Sequence, residues 1–274
     1  KSTVANAIVN LIDEPGKVSS GSILMGETNI SENPETIVQY RGKKIGLIFQ
    51  DPQTSLNPIL TIGEQLIETI QTHLNISSED AKNKAINLLK EVGIKDAEKR
   101  FYNYPHQFSG GMRQRVVISL ALCCEPELLI ADEPTTALDV TVQAQILKLM
   151  NDLKNQLSMS ILMITHDLGV VANMADEIIV MYHGKVMEQG NLDDIFNKAE
   201  HPYLKALLKA VPRFNMEKDE RLVPIREIKT NLKSIENIDN KVLNDEPILK
   251  VTNLLKTFST RKNSMLFRSS GNLI

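Results

Sequence analysis

Three short apolar runs punctuate this chain, and each stops at polar residues. Ile45-Gly46-Leu47-Ile48-Phe49 ends at Gln50, Leu128-Leu129-Ile130-Ala131 ends at Asp132-Glu133, and Ile161-Leu162-Met163-Ile164 ends at Thr165-His166-Asp167. Apolar runs of this length predict buried strands. Between the first two the period changes: over 79–92, Ala81, Ala85, Leu88, Leu89 and Val92 recur at helical spacing. Residues 201–212 read as an amphipathic helix ended by Pro212. Residues 213–246 are charged, Asn-rich and poor in long apolar runs, which reads as a linker. A new strand-like pattern opens at Pro247-Ile248-Leu249-Lys250-Val251. No apolar run reaches the eighteen residues that a membrane-spanning helix needs.

The polar residues at these boundaries carry the chemistry. A buried strand with two carboxylates at its tip, Asp132 and Glu133, suits a magnesium ion and an attacking water. Upstream, Phe108 to Arg115 reads FSGGMRQR, where Ser109, Gly110 and Gly111 are small enough for backbone N–H groups to approach a phosphate. Lys1-Ser2-Thr3 matches the end of a phosphate-binding loop, in which the Lys reaches the β and γ phosphates and the hydroxyl binds Mg²⁺. Taken alone that tripeptide carries little information, and a lone Gln at a strand end is usually a solvated cap. Of the five histidines, His73, His183 and His201 read as surface residues and His106 as structural. His166 has the strand-tip position of a functional residue.

In order, these segments resemble the motifs of an ABC-type ATPase. Lys1-Ser2-Thr3 resembles the end of Walker A, Gln50 the Q-loop, Ser109-Gly110-Gly111 the signature loop and Asp132-Glu133 the end of Walker B. Ala137-Leu138-Asp139 is similar to the D-loop, and His166 to the switch histidine. The resemblance covers about residues 1–212. It implies an α/β fold: a P-loop NTPase of ABC type with an inserted helical subdomain, about 53–125, and with its first strands missing from this chain. It further implies two domains packed head to tail around ATP and Mg²⁺. Lys1, Ser2, Thr3, Ser109, Gly110, Gly111 and Asp139 would bind nucleotide, with Asp139 reaching toward the partner site. Ser2, Gln50 and Asp132 would meet the metal, and Glu133, His166 and Gln50 would serve hydrolysis.

The form Ser-Gly-Gly-Met-Arg-Gln-Arg, the run from Ala131 to Gln143 and the segment from His201 to Pro212 resemble the oligopeptide/dipeptide importer branch. That branch implies separate transmembrane permease subunits, an indirect solute-binding protein outside the membrane, and a peripheral place on the cytoplasmic face. Its cargo spans peptides and small solutes such as nickel. Residues 247–274 resemble the start of a second ABC domain, the competing reading being a strand that completes the first. Such a tandem arrangement leaves one rival class open, a soluble tandem ABC ATPase acting on ribosomes or nucleic acid.

Composition narrows the choice. The formal net charge is −3, which gives no electrostatic case for nucleic acid. The two cysteines, Cys123 and Cys124, are adjacent; that spacing neither builds a disulfide framework nor matches an iron–sulfur ligand set, and reads as small core residues in a reducing compartment.

Overall fold

The computed structural model describes residues 1–31, 34–52 and 54–210, together with the backbone of 258–261 and 270–273. Compact units of the chain divide at residues 225 and 226.

The first unit is organised by a three-stranded parallel sheet. Its strands are β3 (Ile45–Ile48), β4 (Leu128–Asp132) and β5 (Ser160–Ile164), in the order β3-β4-β5. The registers run Ile45↔Leu128 to Ile48↔Ala131 and Leu128↔Ser160 to Asp132↔Ile164, so all three strands end on one rim. Parallel strands need long crossovers. β3 reaches β4 through α3 (Ile62–His73), α4 (Ser78–Glu91), α5 (Ala97–Arg100) and α6 (Gly110–Leu122), and α7 (Val140–Leu157) joins β4 to β5. The three predicted strands and the helix at 79–92 therefore form where the apolar periodicity placed them.

Side chains alternate across the sheet as the pleat requires. Leu129, Ala131 and Ile48 enter the larger core, with Ile62, Leu66, Leu89, Ile118 and Ile146 of the surrounding helices. Ile45 and Ile130 enter a smaller core on the opposite face, with Ala5 and Val9 from α1 (Ser2–Ile8) and its C-terminal cap and Ile37 from α2 (Pro34–Tyr40). Each element therefore lies with an apolar face against the sheet, the arrangement that keeps a parallel sheet dry on both sides.

Local chemistry starts most of these helices. Thr61 and Glu64 form a reciprocal capping box at α3. Ser77, Ser109 and Asp139 each accept a backbone N–H from the first turn of α4, α6 and α7. Such caps are each worth about 1 kcal/mol. Arg41 closes the other end of α1, donating to the carbonyls of Val9 at 2.6 Å and Asn10 at 2.8 Å.

Beyond β5 come α8 (Leu168–Met174) and a β6 (Ile178–Tyr182) and β7 (Lys185–Gly190) hairpin. His183 and Gly184, both at positive φ (46° and 76°), make its tight turn, and two positive φ values are what a twisted two-residue hairpin turn requires. α9 (Leu192–Phe196) and α10 (Pro202–Lys209) follow, burying Ile195 and Leu204 against Ile178. His201 proves to be the N-cap of α10, accepting from the Tyr203 N–H at 3.1 Å, and not simply a surface residue. A short hairpin, β1 (Leu24–Met25) and β2 (Thr28–Asn29), precedes α2. No helix among the described residues is long and apolar enough to cross a membrane.

The second unit contributes an antiparallel pair, β8 (Phe258–Arg261) with β9 (Ser270–Leu273). The linker read at 213–246 and the strand-like opening at 247–257 lie outside the described residues.

Candidate active site

Adjacent strand ends bring Gln50, Glu133 and His166 together. Asp132 closes β4, and the Glu133 N–H still donates to the Ile164 carbonyl at 2.8 Å. The chain then turns sharply: Glu133 takes φ 48° and Ala137 takes φ 64°. The left-handed region is one that L side chains rarely occupy, at a cost of about 1–3 kcal/mol each, and it persists where the surroundings over-determine it. Thr136 N–H to Glu133 O at 3.1 Å and Leu138 N–H to Thr135 O at 3.3 Å fasten this turn.

Glu133 is the hub. Its Oε2 accepts from Gln50 Nε2 at 3.1 Å and from the Thr136 hydroxyl at 2.9 Å, while Oε1 lies 2.9 Å from His166 Nδ1. Burial alone would push this carboxyl up. The hydrogen bonds from His166, Thr136 and Gln50 outweigh burial and hold it below the usual carboxylate range. Glu133 is therefore a fixed carboxylate at neutral pH, aimed from the rim of the sheet.

Asp132 differs from its neighbour. It is only 7% exposed, and its Oδ1 is buried without a hydrogen-bond partner among the described residues. An unpaired buried carboxylate oxygen is costly unless a cation or donor completes it. Strand alternation puts Asp132 on the same face as Ile130, toward α1, which packs on β4. Ser2 and Thr3 open α1, and Lys1 is its N-cap, with Nζ donating to the Thr165 carbonyl at 2.9 Å. Among the described residues no three His, Cys, Asp or Glu side chains form a metal cage. A magnesium ion, which is held by one or two carboxylates plus substrate phosphates, fits this donor set; a caged transition metal does not.

Ser109, Gly110, Gly111 and Asp139 form a second group, where α6 and α7 begin. Ser109 accepts from the Met112 N–H at 3.3 Å and Asp139 from the Val142 N–H at 2.9 Å. A Cβ on Gly111 would sit 2.7 Å from Val142 Cγ1, so the two helix starts are in contact only because this residue has no side chain. Among the described residues no hydrogen bond joins this group to Glu133.

Further residues matter that the motif reading assigned no role. Thr136 holds Glu133, and Gln143 on α7 donates to Asp167 at 3.0 Å, tying that helix to the residue after His166. Arg115 donates to the Val92 carbonyl at 2.5 Å and to Gln145 at 3.3 Å, bridging α4, α6 and α7. Thr136, Gln143 and Arg115 stand inside the runs 131–143 and 108–115 that carry the resemblance, but nothing in those runs marks their partners.

A three-stranded parallel rim with this hub and these two helix starts is the frame of an ATP-binding cassette, and the chain belongs to the ABC transporter family. The family described as ABC transporter matches residues 1–136, and the one described as oligopeptide/dipeptide transporter, C-terminal region, matches residues 187–240. Among individual relatives, the oligopeptide transport ATP-binding protein OppD of Bacillus subtilis (strain 168) is 51% identical over 82% of this chain and 63% of its own length. The glutathione import ATP-binding protein GsiA of Escherichia coli (strain K12) is 44% identical over 95% of this chain and 44% of its own length. The chain thus spans less than two thirds of either relative. A solved dimeric structure of a bacterial ABC transporter cassette superposes with a TM-score of 0.60 at 31% identity, over 70% of this chain and 80% of that one.

Proposed function

We propose that this chain is the ATP-binding and hydrolysing part of an importer, powering uptake of peptides through separate membrane permease subunits. The convergence of Gln50, Thr136 and His166 on Glu133 carries this reading. Glu133 orients the attacking water and accepts its proton, a role suited to a fixed carboxylate beside the γ-phosphate. His166 holds the γ-phosphate and reports its loss. Lys1, Ser2 and Thr3 bind phosphates. A magnesium ion, when bound, neutralises phosphate charge, and Asp132, Ser2 and Gln50 are the residues that would hold it. Ser109, Gly110, Gly111 and Asp139 complete the site of a second cassette packed head to tail; that the solved cassette named above is dimeric supports a paired arrangement. Phosphoryl transfer depends on positioning and charge, so a site split between two domains makes their closure the switch.

Peptide cargo is favoured over nickel because the relatives named above are an oligopeptide transport and a glutathione import ATP-binding protein, and glutathione is a tripeptide. Beside Gln50, a cavity of about 260 Å³ is lined by Phe49, Leu47, Val117, Leu120 and Ala121. Phe49 is 46% exposed, an apolar face suited to receiving a permease segment at the cytoplasmic surface of the membrane. On their sequence pattern, 213–246 are read as a linker and 247–274 as the start of a second cassette. The test is uptake of labelled oligopeptide into proteoliposomes containing the full-length protein, its permeases and its solute-binding protein. Uptake that needs ATP and is abolished by Lys1→Ala supports the reading; ATP-independent uptake, or nickel uptake in its place, contradicts it.

A further inference from the structure

The two cysteines lie outside the nucleotide site, at the far end of the helix that Ser109 begins. Their sulfurs are 3.7 Å apart in hydrogen-bonding contact. Cys123 is the C-cap of α6, and the chain reverses two residues later at Glu125, with φ 53°. Cys123 is 1% exposed and Cys124 9%. Lys84 of α4 ion-pairs with Glu125, the residue after Cys124; the Lys84 charge favours the Cys124 thiolate and the Glu125 charge opposes it.

We infer that Cys123 and Cys124 are a redox-active vicinal dithiol, which a peroxide-class oxidant converts reversibly to a disulfide that loosens the last turn of α6.

The pair divides the work. Donation from the Cys123 thiol, helped by Lys84, draws Cys124 toward its thiolate, while Cys123 is pushed up. The thiolate is the nucleophile. Cys124 sulfur attacks one oxygen of hydrogen peroxide, the O–O bond breaks, and hydroxide leaves, giving a sulfenic acid. Cys123 sulfur then attacks that sulfur and expels water, its proton going to the leaving oxygen. In total, two thiols and one peroxide become one disulfide and two waters.

Adjacent Cα atoms are about 3.8 Å apart, below the usual disulfide span of about 4.4–6.8 Å, so closure must distort the local backbone. A helix C-terminus can yield, because its last carbonyls have no intrahelical donor. Strained disulfides are readily reduced again, as a regulatory bond must be. The strain has a receiver: the Ala121 carbonyl sits directly on β3, where a Cβ added at Gly46 would be 2.3 Å from its oxygen. β3 ends at Gln50.

The test treats full-length reduced protein with one equivalent of hydrogen peroxide, then counts thiols, maps the product by peptide mass and follows amide exchange. The expected result is loss of both thiols per peroxide, a Cys123–Cys124 cross-link, faster exchange over 120–124, and full recovery with dithiothreitol. Cys123→Ser should stop at a dimedone-trappable sulfenic acid on Cys124. If both thiols survive, or wild type also stops at the sulfenic acid, or exchange over 120–124 is unchanged, the inference fails. Should Cys123→Ser not fold, the wild-type stoichiometry decides alone.

Discussion

His166 Nδ1 lies 2.9 Å from Glu133 Oε1, and the two side chains are unequally covered: His166 is 69% exposed and Glu133 19%. The carboxylate is additionally held by Gln50 and Thr136, whereas the imidazole's one side-chain hydrogen bond among the described residues is to Glu133. In this pair the imidazole is therefore the partner free to leave, and the carboxylate the one that stays. Under the proposed function, a γ-phosphate arriving at the rim would draw His166 away without displacing Glu133.

The lowered pKa of Glu133 has a sign that can be checked. Hydrogen bonds to the ionised form favour it, so their stabilisation is present above the unfolded-state pKa and is lost as pH falls through the lower folded value. Thr136→Ala removes one of these donors and should raise that folded value. The acid limb of the ATP turnover profile of the full-length protein should then move to higher pH, with the alkaline side unchanged. A profile that scales down uniformly would mean that Thr136 acts only in folding.

Gly111 is expected to be a packing position as well as a phosphate-facing one. Gly111→Ala forces its Cβ against Val142 Cγ1 and should destabilise the protein by about 1–3 kcal/mol in thermal unfolding. Val142→Ala in the same chain should recover most of that loss. If the double variant is stable yet still inactive, Gly111 is needed for nucleotide closure. Recovery of both properties would assign it to packing alone.

Arg115 reaches two helices with one guanidinium. Arg115→Ala should cost about 1.5–3 kcal/mol in urea unfolding, the range for hydrogen bonds from a charged donor. Arg115→Lys should recover less than half, because a single ammonium cannot span the Val92 carbonyl and Gln145 together. Equal stability of the Lys variant and wild type would show that charge, not the fork, is what matters.

The strand tips were legible because packing on both faces favours continuous apolar runs, and each run gives way to polar residues: Gln50, Asp132-Glu133 and Thr165-His166. The helix at 79–92 was legible from its period. Left-handed backbone at Glu133 and Ala137 was not, since neither is the glycine that usually announces it. Nor were Thr136 and Gln143, whose partners are set by turn geometry and by the packing of α7 beside α8. The β6–β7 hairpin escaped because its turn is His183-Gly184 and not one of the commoner pairs.

Whether Glu133 directs water at the γ-phosphate is read most directly by single-turnover phosphate release. In the full-length protein with bound ATP and magnesium, Glu133→Gln keeps the shape of the side chain but removes its charge and its capacity to take a proton. Release should slow by about 10²–10⁴-fold, the range for loss of a general base, while ATP binding is retained and the closed dimer accumulates. Release at the wild-type rate would contradict the account and return Glu133 to the role of a structural strand-end residue.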